Sequence, residues 1–427
     1  MNNRKLRILV FPCGSEIGLE IYHSLKFSRH VELFGASSVS SNHGKYVYTN
    51  YIEGLPYVGE PDFIERINSI VDEYKIDYIF PAHDSAIIEL SEQRDDLHAV
   101  VVTSSKETCA ICRSKKATYE KLVGILPVPE IFKIDDMNIK FPVFLKPDIG
   151  QGSRGTHLAL SIEEIEFYIK KDNSLLLLEY LPGKEFTVDC FTDRYGKLRF
   201  AGCRERIRIV NGISVDTAPA GNVNFRRLAE VINSLLSFRG VWFFQVKESK
   251  NGDLVLMEIA PRVAGSMGLY RNYGINFPLL SLYDAAELDI EIAPNSFEIR
   301  MDRALCSLFR TDLQYENVYV DLDDCLILEN RVNTQLVAFL YQCFNDKKKL
   351  HLLTRHDGNL HKNLHLYRLN SLFDTITHID RNELKSKYVR ESNAIFIDDS
   401  FSERIEIKKA LGIPVFAPDA LECLMKW

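Results

Sequence analysis

The chain is 427 residues long. Chains of this length usually fold around more than one hydrophobic core, so two or three domains are expected. Hydrophobic residues make up 46% and charged residues 26%, which is the composition of an ordinary globular protein. The formal net charge of -7 argues against a polyanionic partner, so nucleic acid is not an expected partner.

Residues 1–107 alternate short apolar runs with helical patterns. The first run, residues 8–13, is too short for a membrane span or a secretory signal, so it predicts a strand and no membrane partner. Apolar residues recur every three or four positions over residues 63–71, as on a helix that packs against a sheet. The alternation predicts an α/β domain with a parallel sheet. Gly14 and Gly18 follow the first strand, where a plain strand-to-helix turn explains them as well as a ligand loop does.

Residues 108–312 have the pattern of an α+β domain. Two pairs of predicted strands are joined by turn residues, at 186–203 and at 243–259, and each pair predicts a β-hairpin. The nine cysteines of the chain are spread over predicted strands and helices, which is typical of a reducing compartment and predicts a cytoplasmic protein. Cys109 and Cys112 form a CxxC pair without a second pair, so we interpret them as half-buried thiols rather than as zinc ligands.

A strand that carries Lys146 leads directly into a glycine-rich turn at residues 150–155. The backbone N–H groups of such a turn can cover phosphates. The runs Leu-Leu-Leu-Glu-Tyr-Leu-Pro-Gly-Lys-Glu at 176–185 and Met-Glu-Ile-Ala-Pro-Arg at 257–262 follow in order. This set of motifs resembles the ATP-grasp superfamily of ligases over the N-terminal two-thirds of the chain. The resemblance implies a pre-ATP-grasp Rossmann-like domain at residues 1–107 and an ATP-grasp domain at 108–312.

The resemblance implies ATP as a cofactor and assigns residues to it. Lys146 matches one phosphate-binding lysine of the family, and Lys115 matches the other, with Lys116 as an alternative; compact charges of this kind suit a nucleotide tail. Glu185 matches the acid of the family that binds ribose hydroxyls. The alternative for Glu185 is a surface carboxylate at a strand edge. The phosphate loop, the adenine-reading backbone and the ribose acid together comprise Gly152, Ser153, Glu179, Tyr180, Leu181 and Glu185.

Gln245 and Glu258 lie on the two strands of one predicted hairpin and can offer a carbonyl and a carboxylate oxygen. Mg²⁺ prefers such ligands together with substrate phosphates, and the family uses this pair, so the resemblance implies magnesium here. The family's usual asparagine two residues after the glutamate is Ala260 in this chain. Either water replaces that ligand or a second Mg²⁺ binds weakly.

Arginines recur near these motifs. Arg262 matches the phosphate-facing arginine of the family and is expected to act in catalysis. Arg204, Arg206 and Arg208 alternate along a predicted strand, so all three should face one side. Anion binding explains three such groups better than a polar outer surface does. The glycine-rich residues 264–272 are expected to border the acceptor substrate.

Residues 313–427 place polar side chains at the ends of three apolar runs. Asp321 and Asp323 end the first run, Thr354 ends the second, and Asp398 with Asp399 ends the third. That order resembles the haloacid dehalogenase (HAD) superfamily of Mg-dependent phosphohydrolases, which implies a C-terminal Rossmannoid α/β domain. The motifs are separated by short segments, so the domain should have no large cap and an open site.

The second resemblance also assigns roles. Asp321 would be the nucleophile and Asp323 the general acid and base. Thr354 would bind phosphoryl oxygens, and Lys385, with Lys387 as an alternative, would offset the charge of the aspartyl phosphate. The implied magnesium ligands are Asp321, Asp323, Asp398 and Asp399. A degenerate domain kept for assembly is the alternative to an active one.

Together the two resemblances imply a bifunctional enzyme. An ATP-grasp ligase would join a small-molecule carboxylate to an amine through an acyl phosphate, and a fused HAD phosphatase would act on a phosphorylated substrate. The first alternative is a HAD phosphatase whose ATP-grasp portion binds ATP only for regulation. The second is an ATP-binding scaffold with both sites degenerate. Ligases of this type are often dimers, so a homodimer is one of the implied assemblies.

Overall fold

The computed structural model describes residues 4–136, 139–221 and 223–426. The chain forms two compact units, Met1–Leu305 and Cys306–Trp427. The domain boundaries that the sequence predicts, before residues 108 and 313, stay predictions. Within the described ranges, no helix combines the length and the apolar character needed to cross a membrane.

The first sheet has five parallel strands in the order β3-β2-β1-β4-β5. Its strands are β1 (Leu6–Phe11), β2 (Val31–Ser37), β3 (Asn50–Glu53), β4 (Tyr78–Pro81) and β5 (Val100–Val101), and its helices are α1 (Glu16–Leu25), α2 (Gly44–Val47), α3 (Phe63–Tyr74) and α4 (Asp84–Glu92). Ile8, Leu9 and Val10 of the central strand are fully buried, so both faces of the sheet are covered. The predicted parallel α/β arrangement is confirmed. Helices α1 and α4 begin at the same edge of the sheet, because they follow the neighbouring parallel strands β1 and β4.

A four-stranded antiparallel sheet follows, in the order β6-β9-β7-β8. Two helices lead into it, α5 (Lys106–Arg113) and α6 (Lys115–Leu122). Its own elements are β6 (Ile131–Phe132), β7 (Val143–Pro147), β8 (His157–Ala159), α7 (Ile162–Lys171) and β9 (Leu175–Glu179). Ile165 of α7 packs against Val143 and Leu145, so alternate residues of β7 form the core of this sheet. Lys146 therefore points to the opposite face.

The first unit is completed by a six-stranded sheet in the order β14-β13-β10-β11-β12-β15. Its strands are β10 (Glu185–Thr192), β11 (Leu198–Val210), β12 (Ile213–Pro219), β13 (Gly240–Glu248), β14 (Leu254–Ala260) and β15 (Met301–Asp302), with helices α8 (Val223–Leu235), α9 (Gly268–Asn272) and α10 (Phe277–Ala285). Both predicted hairpins are confirmed, as the antiparallel pairs β10–β11 and β13–β14. Trp242, Phe244 and Ile232 are fully buried in one core cluster.

The second unit is built on a five-stranded parallel sheet in the order β20-β19-β16-β21-β22. Its elements are β16 (Asn317–Val320), the hairpin strands β17 (Ile327–Leu328) and β18 (Arg331–Val332), α11 (Thr334–Asn345), β19 (Lys349–Thr354), α12 (Leu360–Leu366), β20 (Thr375–His378), β21 (Ala394–Ile397), α13 (Phe401–Leu411) and β22 (Val415–Phe416). Strands β19, β16 and β21 are neighbours, so their carboxyl ends meet at one edge. Only the short β17–β18 hairpin lies between β16 and α11, so no large cap is inserted there.

Candidate nucleotide and phosphoryl-transfer sites

A cavity of about 300 Å³ in the first unit, termed the smaller cavity, is lined by both of its antiparallel sheets. The wall includes α6, β7, the glycine-rich turn, the end of β9, and strands β10, β11, β13 and β14. It brings together every residue that the sequence predicts for ATP and its metal, namely Lys115, Lys146, Gly152, Ser153, Glu179, Tyr180, Leu181, Glu185, Gln245 and Glu258. Residues distant in sequence therefore converge on one space.

A second space of about 890 Å³, termed the larger cavity, adjoins the smaller one. The two share Lys115, the turn residues 150–154, Gln245 and Glu258. The opposite wall is the edge of the parallel sheet where α1 and α4 begin, with Glu16 and Asp84 among the lining residues. Ala264, Gly265 and Ser266 also line it, so the start of the glycine-rich segment 264–272 borders this space.

Two buried lysines face the smaller cavity. Lys146 is 9% exposed, and its Nζ lies 3.9 Å from Oε2 of Glu258. Burial lowers the pKa of Lys146 even though Glu258 is close. Burial and the nearby Lys146 charge lower the pKa of Lys115 to about 8, although its Nζ donates to the Asp148 carbonyl at 3.0 Å. Five cationic side chains and three carboxylates line the smaller cavity, and this excess of positive charge suits an anionic ligand.

The choice between Lys115 and Lys116 follows from the start of α6. Lys115 is 5% exposed and lines the cavity, whereas the Lys116 side chain is 60% exposed and its Nζ lies 3.9 Å from Glu120. Ser114 caps the helix by accepting from the Ala117 N–H, and its hydroxyl donates to the Asp148 carboxylate, which fixes the first turn. The geometry therefore favours Lys115.

The glycine-rich turn is covered by the turn between β11 and β12. Gly152 and Gly155 have positive φ, and Ser153 also lies in the left-handed region with φ 54°. A Cβ on Gly212 would lie 2.5 Å from the carbonyl carbon of Gly152, so the two turns are in close backbone contact. Nη2 of Arg206 donates to the Gly212 carbonyl at 2.7 Å and fixes this arrangement.

The far side of the smaller cavity combines apolar side chains with backbone. Phe144, Leu178 and Met257 line it beside Glu179, Tyr180 and Leu181. A flat, apolar slot next to a backbone segment can hold an aromatic base and read its edge by hydrogen bonds. This is where the sequence analysis expects adenine.

Glu185 is held by two cations that the sequence analysis did not assign to it. Its Oε1 lies 2.9 Å from Nε of Arg206, and its Oε2 lies 3.7 Å from Nζ of Lys247. Lys247 also lines the cavity. The available signal was period-two alternation on β13, which puts Lys247 on the same face as Gln245. A strand-edge surface carboxylate is the wrong description of Glu185, because its side chain is only 14% exposed.

The metal ligands expected in this cavity are Gln245 and Glu258, which are direct partners across β13 and β14. Ala260 lines the larger cavity and offers no ligand atom. Among the described residues, the one cluster of three acidic or metal-binding side chains lies in the second unit, not around Glu258. One carboxylate and one amide fit a single Mg²⁺ that also binds phosphate oxygens.

The arginines differ from the sequence expectation. Arg208 does not share a face with Arg204 and Arg206, because β-bulges flank it and Ile209 lines the cavities instead. Its side chain is 53% exposed and pairs with Asp302 at 2.6 Å. The prediction of three arginines on one face is therefore wrong for Arg208.

Arg262 lines the larger cavity rather than the smaller one. Its Nε and Nη2 donate to Asp84 of α4 at 2.5 and 3.3 Å, and its guanidinium lies over the Phe243 ring. Burial alone would raise the pKa of Asp84, but the Arg262 charge outweighs it and the pKa is lowered. Arg262 thus has a carboxylate partner across the cavity, which the phosphate-facing role did not anticipate.

In the second unit, a cavity of about 480 Å³ lies at the carboxyl ends of β16, β19 and β21. It contains every residue predicted for this unit, which are Asp321, Asp323, Thr354, Lys385, Asp398 and Asp399. Thr354 is 1% exposed, and its Oγ1 has no hydrogen-bond partner among the described residues. A buried hydroxyl at the cavity wall is a suitable donor for a phosphoryl oxygen.

Lys385 joins two of the carboxylates. Its Nζ lies 3.0 Å from Oδ1 of Asp321 and 2.6 Å from Oδ2 of Asp398, and the residue is 2% exposed. Burial opposes its charge, but Asp321 and Asp398 prevail and raise the pKa of Lys385. Lys387 is exposed and does not line the cavity, so the geometry favours Lys385 over that alternative.

Three carboxylates form the candidate metal site of this unit. One oxygen from each of Asp321, Asp398 and Asp399 lies within 4.8 Å of the others. Burial raises the pKa of Asp398 to about 6, and burial together with Asp321 raises the pKa of Asp399. Crowded carboxylates with raised pKa values fit a hard divalent cation such as Mg²⁺, which would relieve their repulsion.

The carboxylate of Asp323 is not part of this group, contrary to the sequence expectation. Both of its oxygens lie 2.9 Å from Nδ1 of His356, and Nε2 of His356 contacts the Asn363 amide at 2.6 Å. His356 is a residue of this site that no sequence motif identifies. Its only signal was its position two residues after Thr354, in the loop that must follow β19. Asp323 is therefore oriented by a histidine, as suits a proton-transfer group rather than a metal ligand.

Comparisons with known proteins agree with the geometry of the first unit. A model of the family described as ATP-grasp in the biosynthetic pathway with Ter operon matches residues 171–303. The carbamoyl phosphate synthase large chain of Clostridium beijerinckii is 28% identical over 141 residues, which are 30% of this chain and 13% of that protein. The chain thus spans only a small part of the length of this curated relative.

Solved structures share the fold at low identity. N5-carboxyaminoimidazole ribonucleotide synthetase from Thermotoga maritima has a TM-score of 0.56 at 16% identity, covering 73% of this chain and 83% of that one. L-amino acid ligase from Bacillus licheniformis has a TM-score of 0.54 at 15% identity, covering 67% and 75%. The biotin carboxylase domain of Hydrogenobacter thermophilus 2-oxoglutarate carboxylase was solved with MgADP and bicarbonate. It has a TM-score of 0.55 at 14% identity, covering 67% of this chain and 71% of that one. These likenesses show an ATP-grasp fold, and the HAD assignment of the second unit stays a prediction.

Proposed function

We propose that this protein, which contains an ATP-grasp fold, is an ATP-dependent carboxylate–amine ligase with a fused Mg-dependent HAD-type phosphatase. The observation that carries the ligase is the convergence of Lys115, Lys146, the glycine-rich turn and Glu258 on one cavity. That cavity opens onto a larger one with room for a second substrate. The neighbours that are ligases or carboxylases by name add support at the level of fold.

The proposed ligase reaction needs positioning and charge neutralisation rather than a protein nucleophile. A carboxylate oxygen of the acid attacks the γ-phosphorus of ATP, and ADP leaves with the electrons of the broken P–O bond. The amine then attacks the acyl carbon, inorganic phosphate leaves and the amine loses a proton. Lys115 and Lys146 neutralise the phosphates. Gln245 and Glu258 would hold Mg²⁺, which supplies charge neutralisation between the phosphates.

The second unit supports a phosphatase on its own geometry. Asp321 would attack the phosphorus atom while Asp323 protonates the departing alcohol oxygen. Water, losing a proton to Asp323, would then attack the same phosphorus, so that the bond to Asp321 breaks, phosphate leaves and the Asp321 carboxylate is restored. Lys385 and Thr354 would bind the charge and the oxygens of the phosphoryl group. Asp321, Asp398 and Asp399 are the residues that would hold Mg²⁺.

An alternative keeps the phosphatase and makes the ATP-grasp portion an ATP-binding regulator. Two observations favour it. Ala260 removes one expected ligand, and Arg262 is engaged by Asp84. This alternative predicts ATP binding without ADP formation for any mixture of acid and amine.

The test measures ADP and phosphate release from Mg-ATP with a panel of amino acids and other carboxylic acids, and separately the hydrolysis of a chromogenic phosphate ester. The ligase predicts acid-dependent ADP release that is lost in Lys146→Ala and kept in Asp321→Asn. The phosphatase predicts ester hydrolysis with the opposite dependence. Lys116→Ala is the matched control, because that lysine is exposed and outside the cavity. ATP binding without ADP release under all conditions would replace the ligase with the regulatory alternative.

A further inference from the structure

The larger cavity is cationic. Seven positively charged side chains line it against three carboxylates. The cations are Arg113, Lys115, Arg154, Arg204, Arg206, Arg262 and Arg303, and the carboxylates are Glu16, Asp84 and Glu258. A cavity with such an excess of fixed cations favours an anionic ligand.

Two of the three carboxylates are already paired. Asp84 accepts from Arg262, and Oε2 of Glu16 lies 2.9 Å from Nη2 of Arg303. No carboxylate partner is found for Arg113 or Arg154 within the described residues, and Arg113 reaches only the Gly150 carbonyl, at 3.5 Å. Arg204 and Arg206 are also paired, with Asp189 and Glu185, so the positive charge available to a ligand is that of Arg113, Arg154 and Lys115.

The β11–β12 side of the cavity contains buried donors without acceptors. Arg204 is 1% exposed; its Nε and Nη2 donate to Asp189 at 2.7 and 3.2 Å, while its Nη1 has no partner among the described residues. Ser214 is 3% exposed, and its Oγ is likewise without a partner in that part of the chain. A buried donor without an acceptor costs stability, so a ligand acceptor at either position would relieve that cost.

The position of Arg204 gives the spacing of the ligand's charged groups. Arg206 lines both cavities, so it marks the side where the activated carboxylate must meet ATP. Arg204 lines only the larger cavity and precedes Arg206 by two residues on β11, so the two side chains are about 7 Å apart on one face. The N-termini of α1 and α4 open onto the same cavity, and their dipoles also favour negative charge.

We propose that the acid substrate of this site is a short dianionic acid. Its first carboxylate is activated by ATP beside Arg206 and Glu258. Its second anionic group, a carboxylate or a phosphate, binds Nη1 of Arg204 a few bond lengths away. The inference rests on the proposed ligase function and specifies its substrate class.

The experiment compares acids with and without the second charge: glutamate with glutamine and aspartate with asparagine, which differ in one carboxylate, and 3-phosphoglycerate with glycerate, which differ in a phosphoryl group. Binding is measured by calorimetry in the presence of Mg²⁺ and a non-hydrolysable ATP analogue, and KM is measured from ADP release. We expect the dianionic member of at least one pair to bind tenfold or more tightly. The carboxylate and phosphate pairs distinguish the two sources of the second charge. Equal binding within every pair, or no binding of any acid, would overturn the inference.

Arg204→Lys tests the residue itself. Lysine keeps a charge for the buried Asp189 but cannot present a second nitrogen toward the cavity. We expect it to weaken binding of the dianionic acid at least tenfold more than binding of the monoanionic acid, so that the preference is lost. A preference that survives in Arg204→Lys would contradict the assignment.

Arg113→Gln is the second variant, useful if Arg204→Lys does not fold, because Arg113 has no carboxylate to leave unpaired. It should weaken the dianionic acid more than its monoanionic partner, and equal weakening of both would count against the inference. The two proposals fail separately. ADP release with equal KM values for both members of each pair keeps the ligase and overturns the dianionic acid. Selective, Arg204-dependent binding without ADP release keeps the binding site and overturns the ligase.

Discussion

The pKa of each functional lysine depends on whether carboxylates contact its ammonium group. Lys115 donates to a backbone carbonyl and lies near Lys146, and burial together with the Lys146 charge lowers its pKa to about 8. Lys385 is equally hidden from water, but two carboxylates contact it and its pKa is raised. The surroundings of Lys115 therefore favour binding of an anionic ligand, whereas Lys385 is already neutralised by Asp321 and Asp398.

The pKa of Lys115 predicts a pH dependence of nucleotide binding. Its ammonium group is charged below pH 8 and loses its proton as the pH rises through that value, so the affinity for ADP should fall. Between pH 7 and pH 9 we expect a loss of about tenfold, which corresponds to roughly 1.4 kcal/mol. Calorimetric titration of ADP measures this loss. Lys115→Arg stays charged over that range and should show a flat profile; an equally steep profile in that variant would refute the assignment.

Lys385 also predicts a large effect on stability. Lys385→Met would leave Asp321 and Asp398 without their counter-ion, which we expect to lower the free energy of unfolding by about 3–5 kcal/mol. Urea unfolding in the presence of EDTA measures it, since a bound cation would mask the loss. Lys387→Met, at an exposed neighbour, should change the free energy by less than about 0.5 kcal/mol. Equal effects of the two variants would contradict the buried ion-pair network.

At the scale of elements, two turns that line the smaller cavity contact each other. The glycine-rich turn after β7 and the β11–β12 turn touch through backbone atoms, because neither Gly152 nor Gly212 has a side chain to separate them. Arg206 links the second turn to Glu185 at the wall of the cavity. Arg206 thus links the β11–β12 turn to the cavity wall through one hydrogen bond and one ion pair.

Gly212→Ala tests this contact. The new Cβ would lie 2.5 Å from Gly152, so the turns must separate and the affinity for ATP should fall about tenfold. Gly196→Ala is the control, since Gly196 also has positive φ, at 75°, but its Cβ would meet nothing within 4 Å. Both variants should lose about 1–2 kcal/mol of stability through backbone strain. Only Gly212→Ala should weaken binding of a fluorescent ATP analogue, and an equal effect of Gly196→Ala would show that strain alone is responsible.

At the scale of the whole molecule, ion pairs within the first unit join helices α1 and α4 of its parallel-sheet part to α9 and to the segment that follows β14. Asp84 of α4 binds Arg262, and Glu20 of α1 binds Arg271. The Gln151 amide also contacts Nε2 of His83 at 2.7 Å. His83, Asp84, Gln151 and Arg262 line the larger cavity, so its shape depends on both parts of the unit.

Asp84→Ala should therefore destabilise the first unit by about 3 kcal/mol, because Arg262 would stay largely buried without a partner. The pair stabilises at neutral pH and is lost as the pH falls through the lowered pKa of Asp84. Asp72→Ala removes an exposed pair with His98 and should cost less than about 1 kcal/mol. Denaturant unfolding followed by tryptophan fluorescence compares the two variants, and similar losses would contradict a special role for the Asp84–Arg262 pair.

The sequence by itself determined the helices and strands and the positions of the candidate functional residues along them. Period-two and period-three-or-four patterns are local, so they predicted the parallel sheet of residues 1–107 and the two hairpins of the ATP-grasp fold. The end of a strand can also be recognised from a short segment of sequence. For that reason the sequence alone predicts that Asp321, Thr354 and Asp398 lie at one edge of a sheet.

The tertiary structure decided what each charged side chain contacts. Arg262 and Asp84 are 178 residues apart in sequence, and no local pattern relates them. The bulges beside Arg208 depend on pairing with β12, and the contact of Asp323 with His356 depends on how two loops meet. Periodicity follows from the geometry of one backbone segment, whereas ion pairs, bulges and cavity walls need the relative positions of several segments, which only the folded chain provides.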